Sequence, residues 1–251
     1  MHAINQSTDG DLALVLPAHN EQPTVADVIV RTPATIAGLP VRCVVVDDGS
    51  YDATAVIARR AGAEVLRHDQ CRGLGAAVRT GLAHAVATGA RVVAFCDADG
   101  EYAPEELDRL VAPILSGHAD YVVGSRFLGD IRRMHPHRRL GNRTLTWLLR
   151  RVARCPISDG QSGYRALSAE AAAAADIIHD YNYAQVLTLN LLRQGFRYSE
   201  VPIGYAFREH GRSFVRLPRY LRTVTPAVWR ELRRCRRRTD ERRERCGGVS
   251  S

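Results

Sequence analysis

Short apolar runs alternate with helix-like segments along the first half of the chain. Five runs have the length and β-branched content of buried strands, at 12–16, 41–46, 64–66, 90–96 and 120–125. Helical patterns follow at 24–35, at 73–88 and from Pro104 onward, and another ends at Arg60. Ser50 or Asp52 can cap the start of the helix that ends at Arg60, and Gly89 can end the helix at 73–88. This alternation predicts an α/β fold with a Rossmann-like, mostly parallel sheet flanked by helices.

The pattern changes after Ser125. Residues 126–137 are basic and irregular, 140–154 predict a helix, and a polar loop at 158–165 leads into a further strand-like segment. Later segments predict helices after Ser168 and at 183–193, paired strands at 196–206, and an amphipathic helical stretch at 217–228. We therefore expect a tail at 1–10, one domain at 11–230 that divides near residue 125, and an Arg-rich tail at 231–251.

Trp147 occupies an unusual place in the helix predicted at 140–154. The leucines of this segment fall on one side at 100° per residue, whereas Trp147 falls on the other side with Arg143 and Arg150. An indole beside arginines suits a lipid headgroup region. Packing of the indole against a neighbouring loop is the alternative interpretation.

The composition of the 251 residues indicates a globular protein, with 45% hydrophobic and 25% charged residues. No apolar run approaches the ~18–20 residues of a membrane span. Because the polar segment 1–10 lacks a signal-peptide core, we expect a cytoplasmic location. The six cysteines are scattered without a Cys-x-x-Cys pair, so neither a zinc site nor a disulfide framework is expected.

Positive charge is concentrated in two stretches of the chain. All 35 basic residues are arginine, and the formal net charge is +8. Residues 126–154 and 230–245 each hold nine arginines, against one and four acids respectively. An arginine-rich, alanine-rich composition can reflect a G+C-rich genome, and any single arginine can belong to a solvated face. The clustering nevertheless favours anionic partners at these stretches.

Asp97 and Asp99 directly follow the apolar run at 90–96. Ligands of open α/β sheets bind beyond the carboxyl ends of the strands, where these carboxylates are expected. Hard divalent cations prefer oxygen ligands, and Mg²⁺ often takes one or two carboxylates together with phosphate oxygens. An Asp-rich turn helped by Gly100 and Pro104 is the alternative for this motif on its own.

Polar clusters follow four of the predicted strands, and a fifth comes later in the chain. They are Pro17–Glu21, Val45–Ser50, Asp97–Gly100, Gly124–Arg126 and Asp159–Gly163. Five such motifs in this order resemble the family 2 glycosyltransferases of the GT-A fold, specifically the polyprenyl (dolichyl) phosphate sugar synthases. The resemblance extends from about Leu12 to Val228 and implies a GT-A domain with C-terminal amphipathic helices. Residues 11–125 would then form the nucleotide-sugar half and 126–230 the acceptor half.

The resemblance implies a set of residues for the nucleotide-sugar donor. They are Pro17, His19, Asn20, Glu21, Val46, Asp48, Asp97, Ala98, Asp99 and Arg208. It also implies a site for Mg²⁺ or Mn²⁺ formed by Asp97, Asp99 and Glu101. Glu101 stands where many relatives have Gln, and His19 stands where relatives usually have Tyr.

The resemblance likewise implies residues for the acceptor and for catalysis. Acceptor binding is expected from Arg126, Arg139, Gln161, Ser162 and Arg212. Catalysis is expected from Asp97, Asp99 and Arg126, because the leaving nucleoside diphosphate requires neutralisation of its charge. A lipid phosphate acceptor is already anionic and needs no general base. A hydroxyl acceptor would need one, and Asp159 and Asp130 are the candidates.

These expectations lead to three functional hypotheses. The first is an inverting, metal-dependent glycosyltransferase that moves a hexose from GDP-mannose or UDP-glucose to polyprenyl phosphate, bound peripherally at the cytoplasmic membrane face. The second keeps the enzyme but replaces the acceptor with a soluble small molecule. The third is a non-catalytic nucleotide-binding or nucleic-acid-binding protein. No interleaved aromatic platform accompanies the arginines, so no nucleic-acid partner is expected.

Overall fold

The computed structural model describes residues 10–129, 136–153, 155–178 and 183–205. Strands and helices alternate through most of these ranges, and a 3₁₀ turn at Pro104–Glu106 precedes the fourth helix. The elements are β1 Leu12–Ala18, α1 Val25–Arg31, β2 Thr35–Ile36, β3 Leu39–Asp47, α2 Thr54–Arg60, β4 Glu64–Arg67, α3 Leu74–Ala87, β5 Val92–Phe95, α4 Leu107–Leu115, β6 Tyr121–Ser125, α5 Pro136–Ala153, β7 Arg165–Ser168, α6 Ala169–Ala174, α7 Ala184–Gln194 and β8 Tyr198–Pro202.

The main sheet has the strand order β4-β3-β1-β5-β7-β6-β8, and β2 adds an antiparallel hairpin to the start of β3. Strands β4, β3, β1 and β5 are parallel, as are β6 and β8. Strand β7 is antiparallel to both of its neighbours, β5 and β6. Strands on either side of β7 therefore run in the same direction. The prediction of a mostly parallel α/β sheet is confirmed.

Both faces of the sheet are covered, which explains why its strands are apolar at successive positions. Alternate residues of β1 enter opposite layers: Leu14 packs in the layer that includes α1 and α4, and Val15 packs in the layer that includes α3. Helix α3 approaches β1 very closely. A Cβ atom added at Gly81 would lie 2.2 Å from Cγ1 of Val15.

The first strand and the first helix end at different residues from those predicted. Strand β1 continues through Pro17 to Ala18, whose carbonyl oxygen accepts a hydrogen bond from the Asp48 N–H at 2.8 Å. Proline removes only one donor near the end of the strand, so the pairing persists. Helix α1 ends at Arg31 instead of extending to Thr35, because the residue before Pro33 disfavours helical geometry.

The prediction that residues 196–206 form a pair of strands is wrong for the residues that the structure describes. Strand β8 alone forms there, followed by a one-residue antiparallel bridge between Tyr205 and Tyr102. The bridge joins the end of β8 to the loop that follows β5. The segment after β8 thus reaches the predicted metal-binding loop instead of returning along β8.

Helix α5 begins four residues earlier than predicted, with Pro136 at its first position. Its Leu149 is buried against Ile157 and Leu189. Trp147 is 57% exposed, with the Arg151 guanidinium 5.4 Å from its ring centroid. The indole therefore does not pack into a loop of the described protein. None of the helices in the described ranges combines the length and apolar character needed to span a bilayer.

Candidate active site

The polar clusters meet at one edge of the sheet. Strands β1, β3, β5, β6 and β8 all have their carboxyl ends there, and β7 has its amino end there because it runs the other way. This places the segments after β1, β3, β5 and β6 along the same edge as the loop before β7. It is the edge at which open α/β sheets bind ligands.

The segments after β1 and β3 are joined by direct hydrogen bonds. His19 Nδ1 donates to the carbonyl oxygen of Asp48 at 2.8 Å, and the Asn20 N–H donates to Ser50 Oγ at 2.9 Å. In return, the Tyr51 N–H donates to Asn20 Oδ1 at 3.1 Å. Tyr51 is 88% exposed, and its ring lies edge-on to His19 with centroids 6.0 Å apart. The two segments thus form one polar rim with an exposed aromatic ring.

The Asp48 carboxylate is bound within the protein. It accepts hydrogen bonds from His68 Nδ1 at 2.7 Å, from the Arg72 N–H at 2.9 Å and from the Gly73 N–H at 2.7 Å. Burial disfavours its charged form, but these hydrogen bonds outweigh burial and lower the pKa of Asp48 below its usual value. Asp48 therefore organises the loop before α3. Sequence reasoning missed His68 in this role.

The remaining residues predicted for the donor lie in the same region. Pro17 and Val46 are buried neighbours in the register of β1 and β3, and Ala98 is buried after β5. The Glu21 N–H donates to Thr54 Oγ1 at 2.9 Å, which ties the entrance of α1 to α2. Arg208 lies outside the described residues.

Asp97 and Asp99 are half-buried on the loop after β5. Asp99 Oδ1 accepts the Glu101 N–H at 3.0 Å, and Glu101 Oε2 accepts the Tyr205 hydroxyl at 2.9 Å. A Cβ atom added at Gly163 would lie 3.1 Å from Asp97 Oδ2, so the loop before β7 borders this carboxylate.

The chemistry of these side chains fits a hard divalent cation. Carboxylate oxygens are its preferred protein ligands, and the loop after β5 presents two partly accessible ones. Within the ranges that the structure describes, no three His, Cys, Asp or Glu side chains form a ready cation cage. An ion held here by Asp97 and Asp99 would take further oxygen ligands from a substrate, as Mg²⁺ commonly does with phosphates.

Arg126 and Asp159 form a buried, two-pronged ion pair. Arg126 Nε and Nη2 donate to the two carboxylate oxygens at 2.7 and 2.9 Å, and the Arg126 N–H donates at 3.2 Å. Burial opposes the guanidinium charge, but interactions with Tyr102 and Asp159 outweigh burial and raise the pKa of Arg126 above its ordinary value. The pair joins the end of β6 to the loop before β7.

That loop, residues 158–163, is held from several sides. The Glu200 carboxylate accepts the Ser158 N–H at 2.9 Å, and the Tyr102 hydroxyl accepts the Gly163 N–H at 2.7 Å. Within the loop, Ser162 is buried, whereas Gln161 is half-buried. Sequence reasoning missed Tyr102 and Glu200, whose contacts with this loop span large sequence separations.

Two of the three predicted acceptor arginines, Arg126 and Arg139, lie among the described residues. Arg126 is buried at the sheet edge, and Arg139 is exposed on α5. Arg212 and the candidate base Asp130 lie outside the described residues, as do the helical stretch at 217–228 and the two predicted tails except Gly10. The exposed face of α5 carries the arginines 139, 143, 150 and 151 together with Trp147.

Comparison with known proteins adds a family assignment to this geometry. The family model described as "Glycosyl transferase family 2" matches residues 13–174. Polyprenol monophosphomannose synthase of Mycolicibacterium smegmatis is 32% identical over 212 residues, covering 80% of this chain and 79% of that protein. UDP-N-acetylglucosamine–dolichyl-phosphate N-acetylglucosaminyltransferase of Methanococcus voltae is 29% identical over 177 residues, covering 63% and 69%.

Similarity to solved structures extends over more of the chain. Glucosyl-3-phosphoglycerate synthase from Mycobacterium tuberculosis, solved with Mn²⁺, UDP and glucosyl-3-phosphoglycerate, superposes with a TM-score of 0.72. The match has 26% sequence identity and covers 89% of this chain and 80% of that chain. These proteins differ in their sugars and acceptors.

Proposed function

Because the chain belongs to glycosyl transferase family 2 and is a glycosyltransferase, we propose that it moves a hexose from a nucleoside-diphosphate sugar to polyprenyl phosphate. GDP-mannose and UDP-glucose are the donors to test first. The observation that carries the proposal is the Asp97/Asp99 pair at the sheet edge, bordered by the loop before β7. Relatives that act on dolichyl or polyprenol phosphate support the acceptor class.

The chemistry proposed is an inverting displacement at the anomeric carbon. The acceptor oxygen attacks, and the nucleoside diphosphate leaves with additional negative charge. Asp97 and Asp99 are proposed to bind Mg²⁺ or Mn²⁺, which, when bound, would supply positive charge for this leaving group. The rim formed by His19, Asn20 and Tyr51 is proposed to contact the nucleoside.

The arrangement of Asp159 favours an acceptor that is already ionised. Both of its carboxylate oxygens are bonded to Arg126, so it is poorly placed to remove a proton from a hydroxyl group. A phosphate monoester is anionic at neutral pH and needs no base. Arg126, Arg139, Gln161, Ser162 and Arg212 are proposed to contribute to its binding.

A soluble acceptor is the second candidate, and one observation favours it. The M. tuberculosis enzyme that superposes on this chain was solved with glucosyl-3-phosphoglycerate, which is not a lipid. A small phosphorylated acid would also bring negative charge to the arginine-containing side of the site. The two candidates therefore share an anionic acceptor and differ in its lipid chain.

We propose that α5 supports peripheral binding to an anionic membrane. Its sequence contains five arginines and no acidic residue, and its exposed face includes Trp147. Arginines attract anionic headgroups, and an indole partitions to the interface between headgroups and acyl chains. A single helix of this kind provides reversible attachment.

The test is the transfer of labelled sugar from GDP-mannose or UDP-glucose to polyprenyl phosphate in detergent, with Mg²⁺ or Mn²⁺. Asp99→Asn removes one carboxylate charge, and we expect it to lower transfer by about 100-fold or more. Asp27→Asn is the matched control, because Asp27 lies on the surface helix α1 and pairs with Arg31. That variant should retain activity within about twofold.

The other outcomes separate the candidates. Labelling of 3-phosphoglycerate but not of the lipid would support the soluble acceptor. If the wild type shows neither transfer nor metal-dependent donor hydrolysis, the proposed function is wrong.

A further inference from the structure

Arg165 is a fully buried cation at the amino end of β7. It is 0% exposed, and its Cα atom is paired in the sheet with Phe95 on one side and Val123 on the other. Phe95 lies two residues before Asp97, and Val123 lies three residues before Arg126. Arg165 therefore lies under the part of the sheet edge between the proposed metal-binding loop and the Arg126–Asp159 pair.

All the hydrogen bonds of the Arg165 guanidinium go to neutral oxygens among the described residues. Nε donates to the Ser162 carbonyl at 2.8 Å, and Nη2 donates to the Gly160 carbonyl at 3.3 Å. Nη1 donates to the Tyr121 hydroxyl, to the Ala184 carbonyl at 2.7 Å and to Thr188 Oγ1 at 3.1 Å. Each guanidinium nitrogen thus has an acceptor, but no carboxylate of the described residues forms an ion pair with Arg165.

This environment contrasts with that of the other buried arginine of the site. Arg126 has a carboxylate partner, Asp159, at hydrogen-bonding distance. A buried charge without a counter-ion is costly, and its field is weakly screened by water and salt. A guanidinium supplies the several donors that bridge these carbonyls, and it brings a permanent positive charge with them. That charge is available to an anion that binds nearby during function.

Two of the bonded carbonyls belong to the loop at 158–163, and the same loop borders Asp97 through Gly163. Arg165 thus sets the path of the loop from below and adds positive charge beneath it. An anion that binds over the loop would experience this charge across a few peptide units of low-dielectric protein.

We propose that Arg165 is a positioning residue for the phosphate of the acceptor. It holds the loop at 158–163 through the carbonyls of Gly160 and Ser162, and its charge, which has no paired carboxylate, draws an anionic group to the loop surface. The inference rests on the proposed function in that this loop is taken to face the acceptor. A lipid phosphate and a soluble phosphorylated acid share the recognised chemistry.

The test adds a counter-ion without removing Arg165. Thr188 is buried, with its Oγ1 3.1 Å from Arg165 Nη1. Thr188→Asp would place a carboxylate beside the guanidinium, and Thr188→Asn is the matched control with the same size and no charge. Neither substitution removes the Gly160 and Ser162 carbonyls that Arg165 binds.

We expect the KM for the phosphorylated acceptor to be about tenfold higher in Thr188→Asp than in Thr188→Asn. The donor KM and kcat should agree between the two variants within about twofold. The assay is run with polyprenyl phosphate and with 3-phosphoglycerate, so that the variant pair reports on whichever acceptor is used. Equal acceptor KM values in the two variants would overturn the proposal.

A binding measurement without turnover separates this inference from the proposed function. The melting temperature of the full chain is recorded with increasing inorganic phosphate, which stabilises a protein that binds it. The wild type and Thr188→Asn should be stabilised, and Thr188→Asp should be stabilised much less. The inference then stands even if no transfer to either acceptor is found, and it fails if both variants respond alike.

Folding of the variants also bears on the inference. A cation without a paired carboxylate should accept one beside it, so unfolding of Thr188→Asp but not of Thr188→Asn would contradict the proposal. If both variants unfold, Arg165→Lys and Arg165→Met replace them. Lysine retains the charge and should preserve the response to phosphate better than methionine, whereas equal responses would overturn the proposal.

Discussion

At the scale of single residues, a glycine beside a proposed metal ligand leaves little room for a side chain. Gly163 has no side chain, and this absence leaves room for the Asp97 carboxylate and the Tyr102 ring. A Cβ atom at Gly163 would lie 3.1 Å from Asp97 Oδ2 and 3.3 Å from the Tyr102 hydroxyl. A methyl group there would therefore press on the two side chains that shape this corner of the site.

We predict that Gly163→Ala lowers kcat/KM for sugar transfer by about tenfold, because Asp97 must shift by a few tenths of an ångström. The measurement is steady-state transfer, together with a melting curve to show that the variant is folded. Gly204→Ala is the control, since its added Cβ would meet its nearest atom, Glu106 Oε2, at an ordinary 3.7 Å. Equal activities in the two variants would show that the contact with Asp97 is unimportant.

At the scale of elements, the packing of α3 on β1 depends on Gly81. This helix forms part of the layer that covers one face of the sheet, and Val15 of β1 fills the space beside the glycine. The exposed helix α5 also contains a glycine, Gly141, but an added Cβ atom there would have no neighbour within 4 Å. The two positions share a helical backbone and differ in the space around them.

We predict opposite effects of alanine at these two glycines. Gly81→Ala places a methyl group 2.2 Å from Val15 Cγ1 and should lower the free energy of unfolding by about 1–3 kcal/mol through overpacking. Gly141→Ala should raise it by up to about 1 kcal/mol, because alanine has the higher helix propensity. Denaturant titration of both variants measures the difference. Similar changes in the two variants would contradict the packing argument.

At the scale of the whole molecule, the basic face of α5 is the surface that we propose as a membrane contact. Its exposed arginines 139, 143, 150 and 151 lie with Trp147 on a helix that has no acidic residue. The apolar residue Leu149 instead packs inward against Ile157 and Leu189. The helix can therefore stay attached to the domain while its other face meets lipid headgroups.

We predict that the protein sediments with vesicles containing anionic phosphatidylglycerol and much less with pure phosphatidylcholine. Binding should weaken as salt rises, because exposed charges are screened. Trp147→Ala should reduce the partition coefficient several-fold by removing the interfacial indole. Val30→Ala is the control, since Val30 is also an exposed apolar residue, at 74%, but lies on α1. If both variants bind like the wild type, α5 is not the membrane contact.

Much of the fold could be predicted from local pattern. The strand runs at 12–16, 41–46 and 90–96 match β1, β3 and β5, because strands buried on both faces are continuously apolar. The helix expected from Gly73 to about Thr88 forms as α3, at Leu74–Ala87, since its ends carry glycines. The reversed direction of β7 could not be predicted, because a four-residue strand carries no signal of its orientation.

The candidate site, like the fold, could be predicted from the sequence only in part. The position of Asp97 and Asp99 at the carboxyl edge of the sheet could be predicted, because they follow an apolar strand that pairs in parallel with β1. The pairing of Arg126 with Asp159 could not be predicted, because the two residues are 33 positions apart and either one alone reads as available for chemistry. The same holds for His68, which binds Asp48 from 20 positions away.

The sequence by itself determined the order of strands and helices, the polar residues at the strand ends and the concentration of arginines. These are local properties, since burial and capping leave their pattern within a few neighbouring residues. Only the tertiary structure decided which charges are paired. It gave Arg126 a carboxylate and left Arg165 among neutral oxygens, because the partners of a buried charge come from segments that only folding brings together.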